Sequence, residues 1–102
     1  MADEKLRGMI GLAVKAGKAQ SGSFAVDGAV HRRRAKLVII DGRASPNTVR
    51  QFQILCKNNG VECVLLKEAG VLETLLGRDN RTVLAILDNG FAEAIKKLLP
   101  KD

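Results

Sequence analysis

Apolar residues along the chain fall into two alternating periods. Leu6, Met9, Ile10, Ala13 and Ala16 recur at helical spacing, as do Val49, Phe52, Leu55 and Cys56, and again Phe91, Ile95, Leu98 and Leu99. Each set predicts an amphipathic helix with one face toward a core. Between them lie short unbroken apolar runs, Leu37 to Ile40, Cys63 to Leu66 and Val83 to Leu87, which suit strands covered on both faces. Lys18 to Ser21 is a weaker fourth strand, Ser23 to about Arg33 a further helix carrying Val26, Ala29 and Val30, and Val71 to Leu76 a short one. Gly17, Gly60 and Gly90 punctuate the segments, and Ser45-Pro46 reads as a helix N-cap followed by a first-turn proline. The predicted order is α-β-α-β-α-β-α-β-α. Strands separated by helices cannot pair as tight hairpins, so the sheet is expected to be mostly crossover-connected with helices on both faces, a three-layer α/β/α sandwich.

The chain has 102 residues, 46% of them apolar, enough for one such core and too few for two, so residues 1–102 are read as a single domain. Its basic ends read as solvated tails. Met1 to Arg7 is charged and no apolar run approaches the ~20 residues that span a bilayer, so neither a secretory signal nor a membrane helix is expected and a cytoplasmic setting fits. Cys56 and Cys63 lack the spacing and neighbouring histidines of a zinc site, and each sits among apolar residues. Both are expected to be reduced core residues, with no metal and no cofactor.

Charge narrows the function. A net +6 from 17 Lys and Arg favours a polyanionic partner, although many small soluble proteins are basic without one. Three places could use that charge. The turn Gln20-Ser21-Gly22-Ser23, with Ser23 a candidate N-cap, opens the second helix, where free amides and the positive dipole end can receive a phosphate, or merely start a helix. His31, Arg32, Arg33, Arg34 and Lys36 end that helix, a position where cations oppose the dipole with or without a ligand. The loop Gly77-Arg78-Asp79-Asn80-Arg81 offers two guanidiniums and an amide to phosphates and base edges, or is an ordinary charged turn. No glycine-rich nucleotide fingerprint is present, and the single His31 stands beside no nucleophile, so an enzyme is the poorer reading. Aromatics are few: Phe52 and Phe91 fall on core stripes, and Phe24, off the apolar stripe of its helix, either packs under the first turn or is an exposed contact.

Taken in order, Gly22, Ala35-Lys36-Leu37-Val38-Ile39-Ile40, Ala44-Ser45-Pro46-Asn47-Thr48 and Thr82-Val83-Leu84-Ala85-Ile86 resemble the kink-turn RNA-binding ribosomal-protein superfamily. Gly11-Leu12-Ala13-Val14-Lys15-Ala16-Gly17-Lys18 and Asp88-Asn89-Gly90-Phe91-Ala92 are similar to its bacterial YlxQ-type branch. The resemblance runs nearly end to end. It implies a mixed four-stranded sheet, and an RNA surface made by the turn before the second helix, the start of that helix and the loop before the last strand. Gly22 matches the family's turn glycine, and Ala44 and Pro46 its Ala-x-Pro element. At the second, third and sixth positions after that glycine, where tight kink-turn binders carry Asn, Glu and Lys, this chain has Phe24, Ala25 and Gly28, which leaves kink-turn specificity open. The fourth helix departs as well, with Glu73 after Leu72.

The leading expectation is non-catalytic binding of structured RNA, ribosomal RNA foremost, by a monomeric ribosomal or ribosome-associated protein with no membrane partner. The expected contacts are Lys18, Ser21, Gly22, Ser23, Phe24, Lys36, Arg43, Ala44, Arg78, Asn80 and Arg81. The alternative on the same fold is a protein-interaction module in which Phe24, with the small Ala25 and Gly28, forms an apolar docking spot.

Overall fold

A computed structural model describes the backbone of residues 2–99 and the side chains of residues 4–99. Its elements are α1 (Ala2–Lys15), β1 (Ala19–Ser21), α2 (Ser23–His31), β2 (Leu37–Ile40), α3 (Pro46–Asn59), β3 (Cys63–Leu65), α4 (Val71–Leu76), β4 (Val83–Ile86) and α5 (Asn89–Leu98). The expected alternation is present throughout. The expected basic tails are not free where they are described: α1 already includes Ala2 to Arg7, with Leu6 buried, and α5 runs through Leu98. Met1 and residues 100–102 lie outside the described residues.

The strands form one mixed sheet in the order β1-β4-β2-β3, with β4 antiparallel to both β1 and β2, and β3 parallel to β2. Successive side chains on a strand point to opposite faces, and the central strands use both. Leu37, Ile39, Leu84 and Ile86 pack with α1, α4 and α5 through Ile10, Leu72 and Ile95. Val38, Ile40, Val83 and Ala85 pack on the other face with Val26, Val30, Phe52 and Cys56 of α2 and α3. This is the three-layer sandwich. The run Cys63 to Leu66 fits the reading of a doubly covered strand only in part. β3 is a sheet edge, with Cys63 and Val64 half-buried and Leu65 exposed, because no element packs beyond it.

Both cysteines are free thiols, Cys56 buried and Cys63 half-buried. Donating its thiol proton to the Cys63 sulfur, and then burial, push the Cys56 thiol well above its ordinary range. Helix ends follow the local chemistry. The Ser45 hydroxyl accepts the Thr48 N–H at 3.2 Å ahead of Pro46, and Asp88 accepts the Phe91 N–H at 2.9 Å. Helix α2 stops at His31, two residues short of the expected Arg33, with Arg32 as its C-cap. Arg33 follows with φ of 60°.

Candidate nucleic-acid interface

The antiparallel pairing of β1 with β4 sets Ser21 opposite Leu84, so the turn after β1 meets the loop before β4. The Gly22 N–H donates to the Val83 carbonyl at 3.1 Å, which holds the two segments together. Gly22, not Ser23, is the N-cap of α2, at φ 94° and ψ 151°, a backbone region open to glycine. A Cβ there would fall 2.3 Å from the Arg81 Nη1, so a side chain at this position would have to displace the guanidinium. The Arg81 guanidinium lies across the start of α2.

That arrangement concentrates positive potential. The first amides of α2 have no acceptor within the helix, and the dipole makes that end positive. No side chain caps them and no acidic residue lies in the first turn. The half-buried Arg81 is laid on top of this end, and among the described residues no carboxylate pairs with it. A helix terminus and a guanidinium of the same sign repel unless an anion lies between them, so the geometry suits an incoming phosphate.

Beside this point the chain builds a second, more rigid part. The strand end at Asp41 turns sharply through Gly42, whose N–H donates to the Glu68 carbonyl at 2.9 Å. A Cβ on Gly42 would lie 2.5 Å from that oxygen. The fully buried Asp41 carboxylate accepts three backbone N–H groups, from Arg43 at 2.9 Å, Gly70 at 2.7 Å and Leu72 at 3.0 Å. It thus caps α4 from another strand and fixes the Gly42-Arg43-Ala44 turn. Glu73 then pairs with Arg43 and accepts the Asn80 N–H at 2.7 Å, pinning the loop where Asn80 adopts φ of 62°. Arg43, Glu73, Asp79, Asn80 and Thr82 line an open depression of about 520 Å³. Neither Asp41 nor Glu73 stood out in the sequence as part of a site. Their partners lie far along the chain, and only Glu73, as a departure from the family pattern, drew notice.

Of the expected contacts, Ser21, Gly22, Ser23, Phe24, Arg43, Ala44, Arg78, Asn80 and Arg81 belong to this end of the sheet. Phe24 is 94% exposed, which resolves the choice between packing under its helix and facing solvent. Arg43 is there but committed to Glu73. Lys18 and Lys36 are elsewhere: the Lys18 carbonyl accepts the Leu87 N–H and the Lys36 N–H donates to the Ile86 carbonyl. Leu87 lies four residue steps along the chain from Val83, roughly 13 Å of extended chain, so both lysines sit at the opposite end of the sheet from Gly22. Among the described residues no three His, Cys, Asp or Glu side chains gather as metal ligands would, and no helix is long and apolar enough to cross a membrane.

The model of the ribosomal protein L7Ae/L30e/S12e/Gadd45 family matches residues 4–96. The chain belongs to this family. It is similar to the RNA-binding protein YlxQ of Bacillus subtilis, 34% identical over 91 residues, covering 89% of this chain and 91% of the relative. It is also similar to the RNA-binding protein YlxQ of Enterococcus faecium, 31% identical over 96 residues, covering 94% and 92%. Among solved structures, a Bacillus halodurans protein of unknown function superposes with a TM-score of 0.85 at 24% identity, covering 92% of this chain and 95% of that one. The Giardia lamblia 15.5kD RNA binding protein does so at 0.78 and 19% identity, covering 95% and 83%. The fold expected from the family resemblance is the fold observed.

Proposed function

We propose that this family member binds structured RNA, ribosomal RNA foremost, without catalysing a reaction, as a cytoplasmic ribosomal or ribosome-associated protein acting as a monomer. The contact is the end of the sheet where Gly22, Arg81 and the first turn of α2 meet, with Arg78 and Asn80 beside it. One observation carries the reading: the Arg81 guanidinium, with no carboxylate partner among the described residues, lies directly over Gly22 at an uncapped, acid-free helix start. That arrangement is electrostatically unfavourable in isolation and becomes favourable when a phosphate docks. The names of the YlxQ relatives as RNA-binding proteins point the same way.

Gel-shift titration of ribosomal RNA fragments tests it. Arg81→Ala is expected to weaken binding about tenfold, the loss of one charge-assisted phosphate contact. Arg78→Ala should have a smaller effect in the same direction. Arg33→Ala and Arg34→Ala, at the far end of α2, should change affinity less than Arg81→Ala. A dominant effect of the Arg33-Arg34 pair with a neutral Arg81→Ala would place the interface at the other end of the helix.

A further inference from the structure

The sheet has an open edge at β3. The Val38 N–H donates to the Glu62 carbonyl at 2.9 Å and the Leu66 N–H to the Ile40 carbonyl at 2.8 Å, so Glu62, Val64 and Leu66 turn their backbone groups toward β2. Along a strand the N–H and C=O of one residue point the same way, and those of the next residue point the opposite way. Cys63 and Leu65 therefore direct theirs outward, where no strand among the described residues meets them. Leu65 is also 47% exposed. A hollow opens beside this edge on each face of the sheet, and the two hollows share Leu65, Leu66 and Lys67. On the face of α1, α4 and α5, one of about 510 Å³ is walled by Leu6, Val64, Val71 and Leu99. Arg7 in its wall is already paired with Glu68. On the face of α3, the other, of about 560 Å³, is lined by Val49, Arg50, Gln53 and Lys67, and by no carboxylate among the described residues. Neither Arg50 nor Lys67 has a carboxylate partner among those residues.

We propose that β3 takes one further strand, an extended segment of a protein partner in which apolar and acidic residues alternate. Side chains of an added strand point to the two faces of the sheet in turn, so one set enters the apolar hollow beside α1 and the other meets Arg50 and Lys67 beside α3. Main-chain hydrogen bonds to Cys63 and Leu65 supply the affinity, and the difference between the two hollows supplies the sequence preference. Because β3 has three residues, the added strand is short and its affinity modest. Acidic residues complement the two cations, whereas a basic segment is repelled by them and by the net charge of +6. RNA suits this edge less well. Among the described residues no aromatic ring lines either hollow for bases to stack on, and the apolar wall beside α1 offers nothing to phosphates. The edge is on the far side of the sheet from β1, and the proposal does not depend on the RNA contact at Gly22.

Amide hydrogen exchange followed by NMR tests this with capped peptides that alternate valine with glutamate, valine with lysine, or valine with glutamate and a methyl group on every backbone nitrogen. Excess glutamate peptide should slow exchange of the Leu65 N–H about tenfold, and it should bind about tenfold more tightly than the lysine peptide. The methylated peptide, which has no N–H to donate, should give no such slowing. Reversing the two exposed cations together, Arg50→Glu with Lys67→Glu, should weaken the glutamate peptide about tenfold and strengthen the lysine peptide, a reversal that an unfolded variant would not show. If the glutamate peptide leaves the Leu65 N–H unchanged, or the glutamate and lysine peptides bind equally, the proposal is overturned. It is overturned as well if the Leu65 N–H is already protected in the free protein and loses that protection on dilution, because a second copy then fills the edge. Loss of ribosomal RNA binding in the charge-reversed variant with peptide affinity kept would assign the two cations to RNA and overturn it too.

Discussion

Asp41 is the one buried charged side chain among the described residues, and each of its three hydrogen bonds ends on a backbone amide. Removing the carboxylate leaves without acceptors the buried N–H of Leu72 and the part-buried N–H groups of Arg43 and Gly70. Asp41→Ala is expected to lower unfolding stability by about 3 kcal/mol, the sum of lost charge-assisted bonds and partial relaxation. Urea denaturation measures this directly, and a loss below about 1 kcal/mol would show that the amides find other partners. Arg43 illustrates a related point. Its expected RNA contact competes with its pairing to Glu73, so Arg43→Ala should weaken RNA binding less than Arg81→Ala, while Glu73→Ala, which frees Arg43 and the Asn80 N–H, should weaken it by loosening the loop. Asp41 escaped sequence reasoning because a carboxylate that caps a helix 30 residues away carries no local signature. Gly22 did not escape, since a glycine at a helix start is a local signal and its φ of 94° calls for one, whereas the Arg81 guanidinium overhead is a contact across the sheet that no local signal shows.

At the scale of elements, legibility follows how local the determining force is. The six-residue α4 and the cap of α3 were readable residue by residue, because helical spacing and the Ser45-Pro46 pair act within a single turn. The runs of β2 and β4 were readable because both faces are buried. The same logic misjudged β3, whose apolar residues suggested burial on both faces although it forms an edge: periodicity reports composition, and strand order depends on pairings distant in sequence. A difference in stability should follow. Ile39→Ala, in β2 and fully buried, is expected to cost about 2–5 kcal/mol, whereas Leu65→Thr on exposed β3 should cost under about 1 kcal/mol. Chemical denaturation of the two variants checks this, and equal losses would mean that β3 is covered in solution. The end of α2 at His31 was overestimated by two residues because the cationic run continues without a helix breaker, and the turn is made instead by Arg33 in a left-handed conformation.

The molecule is about 33 × 29 × 27 Å, and the cations expected to contact RNA fall at two ends of one sheet. Gly22, Arg78 and Arg81 lie at one, Lys18 and Lys36 at the other, with Arg34 close to Lys36 in the chain. Net charge foretold a polyanionic partner without saying which end meets it, since Lys36 could have fallen near either until the direction of β2 was known. The proposed contact is the Gly22 end, where binding would displace counterions from RNA phosphates. The most direct measurement is the salt dependence of RNA affinity for the wild type and Arg81→Ala. Log K should fall linearly with log salt, by roughly 0.7 to 0.9 per phosphate contacted, and Arg81→Ala should flatten the slope by about one such increment. An affinity indifferent to salt, or a slope untouched by Arg81→Ala and flattened instead by Lys18→Ala and Lys36→Ala, would contradict it.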